Sequence, residues 1–575
     1  MTSTTSSEES PQQGLGTEFP KPGPGSWALD TGHFSADSSR ICQDLITSGC
    51  TNGTTDGFEL IGAPLKCVEA AFVRGRFYTR IAPLVGSDKD LPTPPAPVLW
   101  LATRVAPPFR KAEKIAKAAI ADRAWMAEHQ RWIDEWRPQL IADWTRLSAV
   151  DPAARTDTEL ADHLLELNRL TTKSAALHFR LHISDLGPVG LLLVRSREWG
   201  LKTGEVMMTL AGHSPATNAP GEALADLRAL VADSDATPTS LEEVRSISPQ
   251  ASSMLDGFLD EFGWRLTTGY DLRALSLREM PDAILASINA PIDHSATQSN
   301  ENAKAAGDEA LAALCAKIPA NEVAELKQLV ADARALYGLR DENGPLTYQW
   351  PAGLIRRAVL EISDRLDAAG RLPADPNREA GSPNDVVFDL SAAEMSALLQ
   401  GGASPGVTDL EQRAALRRHN MTLTAPENLG RVEDNPPLWT MPPNLSQLMD
   451  IVLTVMDLLE VDDHTVGELQ GHGIGTDTVT GRACVVTDAD DAALRIEPGD
   501  ILVAPYTVPT YNAVLSLAGA IVTDGGGLLC HAAVIAREYG IAGVVGVGAA
   551  TSQIQDGATI EVDPTTGRIR ILELA

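Results

Sequence analysis

The apolar residues of this chain change their spacing near residue 481. Before that point helical periodicity prevails from about residue 105 to residue 399, as in Ala112–Arg137 and Leu160–Leu181. After it, short β-branched runs alternate with turns, and two helices fit between them, at Thr510–Ala518 and His531–Tyr539. The runs predicted as strands are Ala483–Thr487, Ile501–Ala504, Ala520–Thr523, Gly543–Val547, Thr559–Val562 and Arg568–Leu572. The pattern predicts a multidomain α + α/β protein, with a large, mainly helical N-terminal region before a compact α/β domain.

Composition adds domain boundaries to this pattern. Residues 1–26 are rich in Ser, Thr, Glu, Gly and Pro and are predicted to be a disordered tail. Residues 27–440 form the helical region, and the Pro-rich break at its end stops any helix. Residues 441–470 are predicted to be an apolar helix, Leu445–Leu459, followed by an acidic, glycine-bearing hinge, and residues 471–575 are the last domain.

The overall charge excludes several classes of function. Acidic residues outnumber basic ones, which gives a formal net charge of −30, so neither nucleic acid nor anionic membrane is an expected partner. The chain has no apolar run long enough for a membrane span, and its first residues lack the basic and apolar regions that are typical of a signal peptide. We therefore expect a cytoplasmic protein. The six cysteines form no Cys-x-x-Cys pair and are expected to be reduced thiols.

Candidate chemistry concentrates in one loop of the last domain. A predicted strand ending at Thr523 runs into a loop that contains Gly525, Gly526, Gly527 and Cys530, and His531 opens the following helix. Unpaired N–H groups at a helix N-terminus favour a phosphate, and neutral imidazole can accept a phosphoryl group. The plainer interpretation is that a glycine turn starts a helix on which His531 only caps or packs.

Further features along the domain carry a resemblance to a known family. They occur in one order: Gly471, Gly473 and Gly475, then Thr480–Ala483, Pro498–Val503, Thr507–Pro509, Ala520–Asp524, Gly526–Ile541, Asp556–Gly557 and Asp563–Gly567. This order resembles the swivelling phosphohistidine domain of phosphoenolpyruvate (PEP)-utilising enzymes. The resemblance implies a swivelling β/β/α domain in which His531 carries the phosphoryl group. Cys530 stands where that family usually has Ser or Thr, and Ala542 where it usually has Pro.

The helical region has a more diffuse resemblance, to the substrate-binding part of rifampicin phosphotransferases and to the histidine-bearing subunit of phenylphosphate synthases. The segments that carry it are Trp27–Phe34, Phe258–Arg265, Ser276–Pro281, Leu354–Ala358, Asp385–Leu390 and residues 417–430. We find no ATP-grasp domain and no Walker-type phosphate loop. The resemblance therefore implies that a separate ATP-grasp subunit binds ATP and Mg²⁺, and that this chain alone binds no cofactor.

Phosphoryl transfer to a hydroxyl needs cations for the transferring oxygens and a group that takes the proton. Candidates for binding the substrate are Arg265, Arg356 and Arg357 in the matching segments, and His178 with His182 on one face of a helix. For each arginine a structural ion pair or a solvated surface position is the favoured alternative. A histidine pair at this spacing can also bind metal, but we saw no acidic third ligand beside it, and the prediction is no metal.

These observations predict a dikinase-like phosphotransferase subunit that moves a phosphoryl group from ATP, through phosphohistidine, to a phenol or alcohol. Two alternatives stay open. One is a PEP-linked phosphotransfer protein, although the repeating units of a pyruvate-binding barrel are absent from the middle of the chain. The other is a non-catalytic binding or regulatory protein that uses the swivelling domain as a docking module.

Overall fold

The computed structural model describes residues 16–575, apart from residues 31–32, 35–36, 87–88, 91, 235–236, 267–268, 290–298, 376–377, 379–381, 433–434, 460–468, 488–490, 493–494, 508–510, 512–514 and 516. Most of the predicted helix Thr510–Ala518, most of the predicted tail and the hinge at 460–468 therefore lie outside the described residues. Residues 16–26, predicted as part of the tail, make defined contacts: the Gly25 N–H donates to Asp90 (2.7 Å), and Arg74 donates to the Glu18 carbonyl.

Helices dominate residues 27–459, as the apolar spacing predicts. In chain order they are α1 (Arg40–Ile61), α2 (Ala96–Val105), α3 (Pro107–Asp122), α4 (Ala124–Arg131), α5 (Arg137–Ser148), α6 (Asp157–Glu198), α7 (Thr203–Met208), α8 (Pro215–Ala232), α9 (Leu241–Ile247), α10 (Pro249–Glu261), α11 (Pro281–Asn289), α12 (Ser299–Cys315), α13 (Val323–Tyr337), α14 (Leu339–Gly344), α15 (Trp350–Ala368), α16 (Ala392–Leu399), α17 (Val407–Met421) and α18 (Pro443–Leu459). Two wider π-helical turns, Trp132–Trp136 and Pro345–Gln349, join α4 to α5 and α14 to α15.

A small antiparallel sheet lies among these helices, in a region for which the sequence predicted mainly helix. Its strands are β1 (Trp27–Leu29), β2 (Leu65–Val73), β3 (Arg76–Pro83) and β4 (Asn428–Leu429), in the order β2-β3-β1-β4. The pairing of β1 with β4 joins the two ends of the helical region. Ala70 of β2 and Phe77 of β3 belong to the main hydrophobic core together with the helices, whereas Val73 of β2 and Tyr78 of β3 pack with Trp27 in a smaller cluster.

Helix α6 is the central support of the helical region. A capping box between Thr156 and Glu159 begins it. Helix α1 lies against it at very short range, because a glycine row on α1 leaves room for the α6 backbone. A Cβ at Gly53 would stand 2.0 Å from the carbonyl oxygen of Ala176, so only glycine fits at this crossing. The largest hydrophobic core forms around this helix pair and α15.

The last domain is built on a mixed, curled sheet of seven strands. They are β5 (His472–Ile474), β6 (Val479–Val485), β7 (Ile501–Ala504), β8 (Ala520–Thr523), β9 (Ala542–Val545), β10 (Thr559–Asp563) and β11 (Arg568–Glu573), in the order β11-β10-β6-β7-β8-β9-β5. Strands β6 to β9 are parallel, whereas β5, β10 and β11 pair antiparallel. Helices α19 (His531–Tyr539) and α20 (Ala550–Gln553) complete it. This architecture confirms the predicted fold class.

The last domain is docked on the helical region. Leu529 and Val534, at the start of α19, are buried in one hydrophobic cluster with Leu192 of α6, Met207 of α7 and Val330 of α13. This contact fixes where the start of α19 lies relative to the helical region. Among the described residues, no helix combines the length and the apolar character needed to cross a membrane.

Candidate functional site

The loop before His531 is held in place from several sides. Its first residue, Asp524, accepts the backbone N–H of Thr551 (3.1 Å), and the Gly525 N–H donates to the Pro505 carbonyl (2.8 Å). Gly526 has a φ of 98°, and a Cβ there would meet the side chain of Cys530 at 2.7 Å. Glycine at position 526 is therefore required both by the backbone conformation and by the space. These contacts fix the backbone of the loop at the point where it leads into His531.

His531 is the first residue of α19, directly after the N-cap Cys530. Its Nδ1 lies 2.9 Å from the hydroxyl oxygen of Thr507, which fixes the orientation of the ring. Burial lowers the pKa of His531 to about 4, opposed by the carboxylate of Asp341 and reinforced by the charge of Arg340. The imidazole is therefore neutral at cellular pH. A neutral, oriented imidazole at a helix N-terminus has the properties of a phosphoryl acceptor.

Two charges that act on His531, those of Arg340 and Asp341, belong to α14 of the helical region. Asp341 is buried and accepts hydrogen bonds from the hydroxyls of Ser214 (2.6 Å) and Thr217 (2.5 Å). Arg340 has a buried Nη1 that finds no hydrogen-bond partner within the described part of the chain. Its charge also adds to the lowering of the pKa of His178, which comes first from burial, and it opposes the net rise in the pKa of His33, where burial is outweighed by Asp30. A guanidinium with an unused buried donor, beside a neutral histidine, is suited to bind a phosphoryl oxygen.

Two adjacent residues of α19 tie the domain to the helical region. The buried guanidinium of Arg537 donates to the Tyr337 hydroxyl (3.1 Å) on one side and to the Leu528 carbonyl (2.5 Å) of its own loop on the other. The Glu538 carboxyl accepts the His213 N–H (3.2 Å). Burial raises the pKa of Glu538 to about 7, although backbone N–H groups at 212–214 oppose the shift. The docked position of His531 thus depends on specific polar contacts as well as on apolar packing.

A cleft of about 740 Å³ opens beside this contact. Its wall includes Asp341, which acts on His531, and His213, whose N–H binds Glu538. Apolar side chains such as Ile133 and Trp350 line much of the rest. A cleft with mostly apolar walls and a few charged groups is typical of a binding site for a small organic molecule.

The structure separates the three predicted substrate arginines. Arg265 lines the cleft, with its guanidinium over the Phe262 ring (4.5 Å) and its buried Nε unpaired among the described residues. Burial lowers the pKa of Arg265 to about 10, so it stays charged. Arg356 is instead buried in a two-pronged ion pair with Glu279 (2.9 Å). Arg357 donates to the carbonyls of Ser148 and Val150 at the end of α5 (3.0 Å each). Arg357 also forms an ion pair with Asp151 (3.6 Å), so both of these arginines have ion-pair partners, as in the alternative interpretation.

His178 and His182 lie one turn apart on α6, and their Nε2 atoms approach to 3.1 Å. His178 Nδ1 contacts the Thr347 hydroxyl (3.2 Å), and His182 Nδ1 contacts the buried carboxylate of Asp185 (3.0 Å). Within the described part of the chain, no group of three or more potential metal-binding side chains is assembled. The charge of Arg340 acts on His178 as it does on His531.

The partners of His531 that come from other segments of the chain were not predicted from the sequence. Arg340 and Asp341 lie in a charged stretch between two apolar segments, a pattern that is typical of a solvated turn. Only the structure shows that this stretch is the helix α14, whose charges act on His531. Thr507 belongs to a segment that matched the family, but the sequence gave no reason to place its hydroxyl on His531. Arg537 and Glu538 follow His531 on its own helix, and a charged pair at buried helix positions was a usable signal of docking.

Two segments of the chain match known families. Residues 496–567 match the PEP-utilising enzyme mobile domain, and residues 196–341 match the fourth domain of rifampicin phosphotransferase. The second match ends at Asp341, so the two matched segments supply the two sides of the contact at His531.

Similar proteins agree with these matches. Rifampicin phosphotransferase of Streptomyces sviceus is 48% identical over 111 residues, 19% of this chain and 13% of that protein. An uncharacterized phosphotransferase of Bacillus subtilis, YvkC, is 30% identical over 328 residues, 55% of this chain and 36% of that protein. Phosphoenolpyruvate synthase of Escherichia coli is 42% identical over 106 residues, 18% of this chain and 13% of that protein. The matching segments thus span well under half of each of these relatives.

The matched segments, their order and the geometry around His531 agree with one another. Residues 496–567 thus match the mobile domain of PEP-utilising enzymes, and they follow a helical region in which residues 196–341 match the fourth domain of rifampicin phosphotransferase.

Proposed function

We propose that this chain is a phosphotransferase component that carries a phosphoryl group on His531 and passes it to a hydroxyl group of a small organic molecule. The observation that carries the proposal is the combination of three properties at His531: its neutral ring, its fixed orientation and the action of a nearby positive charge. His531 is neutral and oriented by Thr507, and Arg340 of the helical region acts on it with an unused buried donor. The names of the similar proteins support the same class of reaction.

The transfer has two steps. Because Nδ1 is engaged by Thr507, we assign Nε2 as the nucleophile. In the first step its lone pair attacks the phosphorus of the donor, an N–P bond forms and the donor P–O bond breaks. In the second step the acceptor oxygen attacks the same phosphorus, the N–P bond breaks, and the acceptor proton leaves to a base or to water. Arg340 stabilises the charge on the transferring oxygens in the second step.

The donor in this proposal is ATP, activated with Mg²⁺ by a separate ATP-grasp subunit. The acceptor is a phenol or alcohol that binds in the 740 Å³ cleft. Two observations support the cleft as its place. Asp341 belongs both to the cleft wall and to the surroundings of His531, and the lining combines apolar side chains with the charged Arg265. Before the first step the last domain leaves the helical region to meet its donor, which requires the contacts of Arg537 and Glu538 to open, and between the two steps it docks again.

The test is to incubate the full chain with ATP labelled at the β or γ phosphate and with an ATP-grasp protein from the same organism. We expect an acid-labile, alkali-stable label on the chain, as phosphohistidine gives, and its discharge when a panel of phenols and alcohols is added. His531→Ala should abolish the label. His472→Ala, the same change elsewhere in the last domain, should retain it. Absence of label with ATP and also with phosphoramidate, a donor that needs no partner, would sink the proposal and favour a docking protein.

A further inference from the structure

Two arginines line the cleft beside α14, and they differ in their partners. Arg137 donates to the Glu342 carboxylate (2.5 Å). Arg265 makes no side-chain hydrogen bond and no ion pair with any described residue, and its buried Nε is unpaired there. The Arg265 guanidinium lies over the Phe262 ring, 4.5 Å from the centroid, which holds the group in place. Arg265 thus presents a fixed positive charge and unused N–H donors to the cleft.

Two further nitrogen atoms of the cleft lining have no hydrogen-bond partner in the described part of the chain. They are Nε1 of Trp350, a side chain that is only 6% exposed, and Nδ1 of His129. The indole N–H can only donate, whereas a neutral imidazole nitrogen can donate or accept. Buried polar atoms in proteins are normally hydrogen-bonded. Three unpaired nitrogen atoms at one cleft therefore indicate a ligand that supplies acceptor oxygens.

The backbone brings Arg265 and Trp350 close together. A Cβ at Gly353 would stand 1.7 Å from the carbonyl oxygen of Trp264, so the residue before Arg265 lies directly against α15. Trp350 begins α15 and lies one turn before Gly353 on the same face of the helix. The two donors therefore lie on neighbouring parts of one wall of the cleft.

The opposite character of the lining is apolar, and part of it comes from irregular helix. Ile133 belongs to the π-helical turn Trp132–Trp136, and Leu346 belongs to the π-helical turn Pro345–Gln349. Single π-helical turns are frequent at functional sites, because the extra residue redirects side chains out of the regular helical spacing. Both of these turns contribute to the same cleft, which is a second indication that the cleft binds a ligand.

The acidic groups of the lining are largely engaged by the protein itself. Three of its carboxylates accept hydrogen bonds from other side chains: Glu342 from Trp132 and Arg137, Asp341 from Ser214 and Thr217, and Asp260 from Arg278. A fourth, Glu261, is exposed. Burial lowers the pKa of Arg265 to about 10, and the charge of Glu261 opposes this shift, so Arg265 stays positively charged. The donors of Arg265 and Trp350 are thus free to bind an anionic group.

We propose that the cleft binds hydroxy acids, that is, molecules that combine a carboxylate, an apolar body and a hydroxyl group. The carboxylate accepts from the guanidinium of Arg265, whose planar arrangement of N–H groups matches two carboxylate oxygens. Trp350 and His129 provide the additional hydrogen bonds. The apolar body packs against side chains such as Ile133 and Leu346. A volume of 740 Å³ is sufficient for a drug-sized molecule.

The fate of the hydroxyl group rests on the proposed function, whereas binding of the carboxylate does not. The cleft reaches the last domain at His213, whose N–H donates to Glu538 of α19 (3.2 Å). In the transfer the hydroxyl oxygen forms a bond to phosphorus, the N–P bond to His531 breaks, and the hydroxyl proton leaves to a base or to water. Arg265 positions the acceptor, so its loss should act on the acceptor KM more than on kcat.

Binding can be measured by calorimetry on the full chain, without ATP or a partner. The probes are three hydroxy acids of increasing size, hydroxyphenylpropanoate, hydroxynaphthoate and cholate, each compared with its uncharged primary amide. We expect at least one acid to bind about 10- to 100-fold more tightly than its amide, as a hydrogen bond to a charged group provides. Arg265→Gln should remove this preference. Trp350→Phe, which removes the N–H and keeps an aromatic ring, should weaken binding of the acid by up to about tenfold.

Arg110→Gln, the same change at an exposed arginine of α3, is the matched control and should keep the preference. Circular dichroism shows whether each variant is folded. Equal binding of acid and amide in all three pairs, no binding of any acid at millimolar concentration, or a preference that persists in each folded cleft variant would overturn the inference.

The outcomes separate this inference from the proposed function. Binding that depends on the carboxylate, in a chain that acquires no label on His531 from any donor, would leave the hydroxy-acid site standing and refute the phosphotransferase. Label on His531 that is discharged equally by the acids and by their amides would support the phosphotransferase and refute the hydroxy acid as its acceptor.

Discussion

The last domain and the helical region present their functional residues in opposite ways. In the last domain the glycine loop, the N-cap and His531 are consecutive in the chain, and the strand before them ends where its apolar run ends. In the helical region the corresponding residues come from separate segments: Arg340 and Asp341 lie on α14, Arg265 follows the end of α10, and the histidine pair lies on α6. The loop and helix that carry His531 are thus encoded by one continuous segment. The residues of the helical region that face His531, here called the receiving side, are brought together only by the tertiary structure.

The sharpest test of this comparison removes the cation of the receiving side. Arg340→Ala should slow discharge of phosphorylated His531 by about 10²- to 10³-fold, because one preorganised donor to the transferring oxygens is lost. Formation of the label should continue, since the donor reaches His531 when the domain is undocked. Rates of label formation and discharge, measured separately, check this. Arg431→Ala, at an exposed arginine, is the control. Equal slowing of both steps would contradict the assignment of Arg340 to the receiving side.

The difference between local and long-range contacts also decides which parts of the structure could be predicted from the sequence. Strands β7 and β8 and helix α19 have the predicted bounds, because each is a short run flanked by its own turn or glycine signal. The sheet formed by β1 to β4 was not predicted, because its first and last strands are about four hundred residues apart. Arg356 and Arg265 looked alike in sequence, and only the position of Glu279 distinguishes them. Long-range pairing decides such cases, and local periodicity does not contain it.

The second prediction uses these two arginines. Arg356→Ala should lower the free energy of unfolding by about 2–3 kcal/mol, because the Glu279 carboxylate loses its positively charged partner in a largely buried ion pair. Arg265→Ala should change stability little and raise the acceptor KM, because its guanidinium lines the cleft and makes no ion pair in the described part of the chain. Urea unfolding and steady-state kinetics of both variants give the comparison. A large loss of stability in Arg265→Ala alone would reverse the two roles.

The third prediction concerns the contact between the two regions. Docking raises the pKa of Glu538 to about 7 from 4.5, mainly through burial, with Asp341 as a like charge and the N–H groups at 212–214 opposing. The docked state therefore takes up a proton, and docking weakens as the pH rises from about 5 to 7, by up to about tenfold per pH unit. The docked fraction can be followed by small-angle scattering. Glu538→Gln should abolish this dependence, whereas a dependence unchanged in the variant would assign it to another group.

The smallest expected effect concerns the glycine loop. It tests whether the backbone of the loop itself fixes the orientation of His531. Gly526→Ala should cost about 1–3 kcal/mol, because φ is 98° there and a Cβ would meet the Cys530 side chain at 2.7 Å. Gly525→Ala is the matched control: the nearest atom to its Cβ is the Pro505 carbonyl oxygen at 3.4 Å, and its φ is not positive, so it should unfold close to the native midpoint. Thermal unfolding of the two variants, with the rate of label formation on His531, measures both consequences. If the two substitutions act equally, the loop is less constrained than its backbone indicates, and the orientation of His531 depends instead on Thr507 and on the docked helical region.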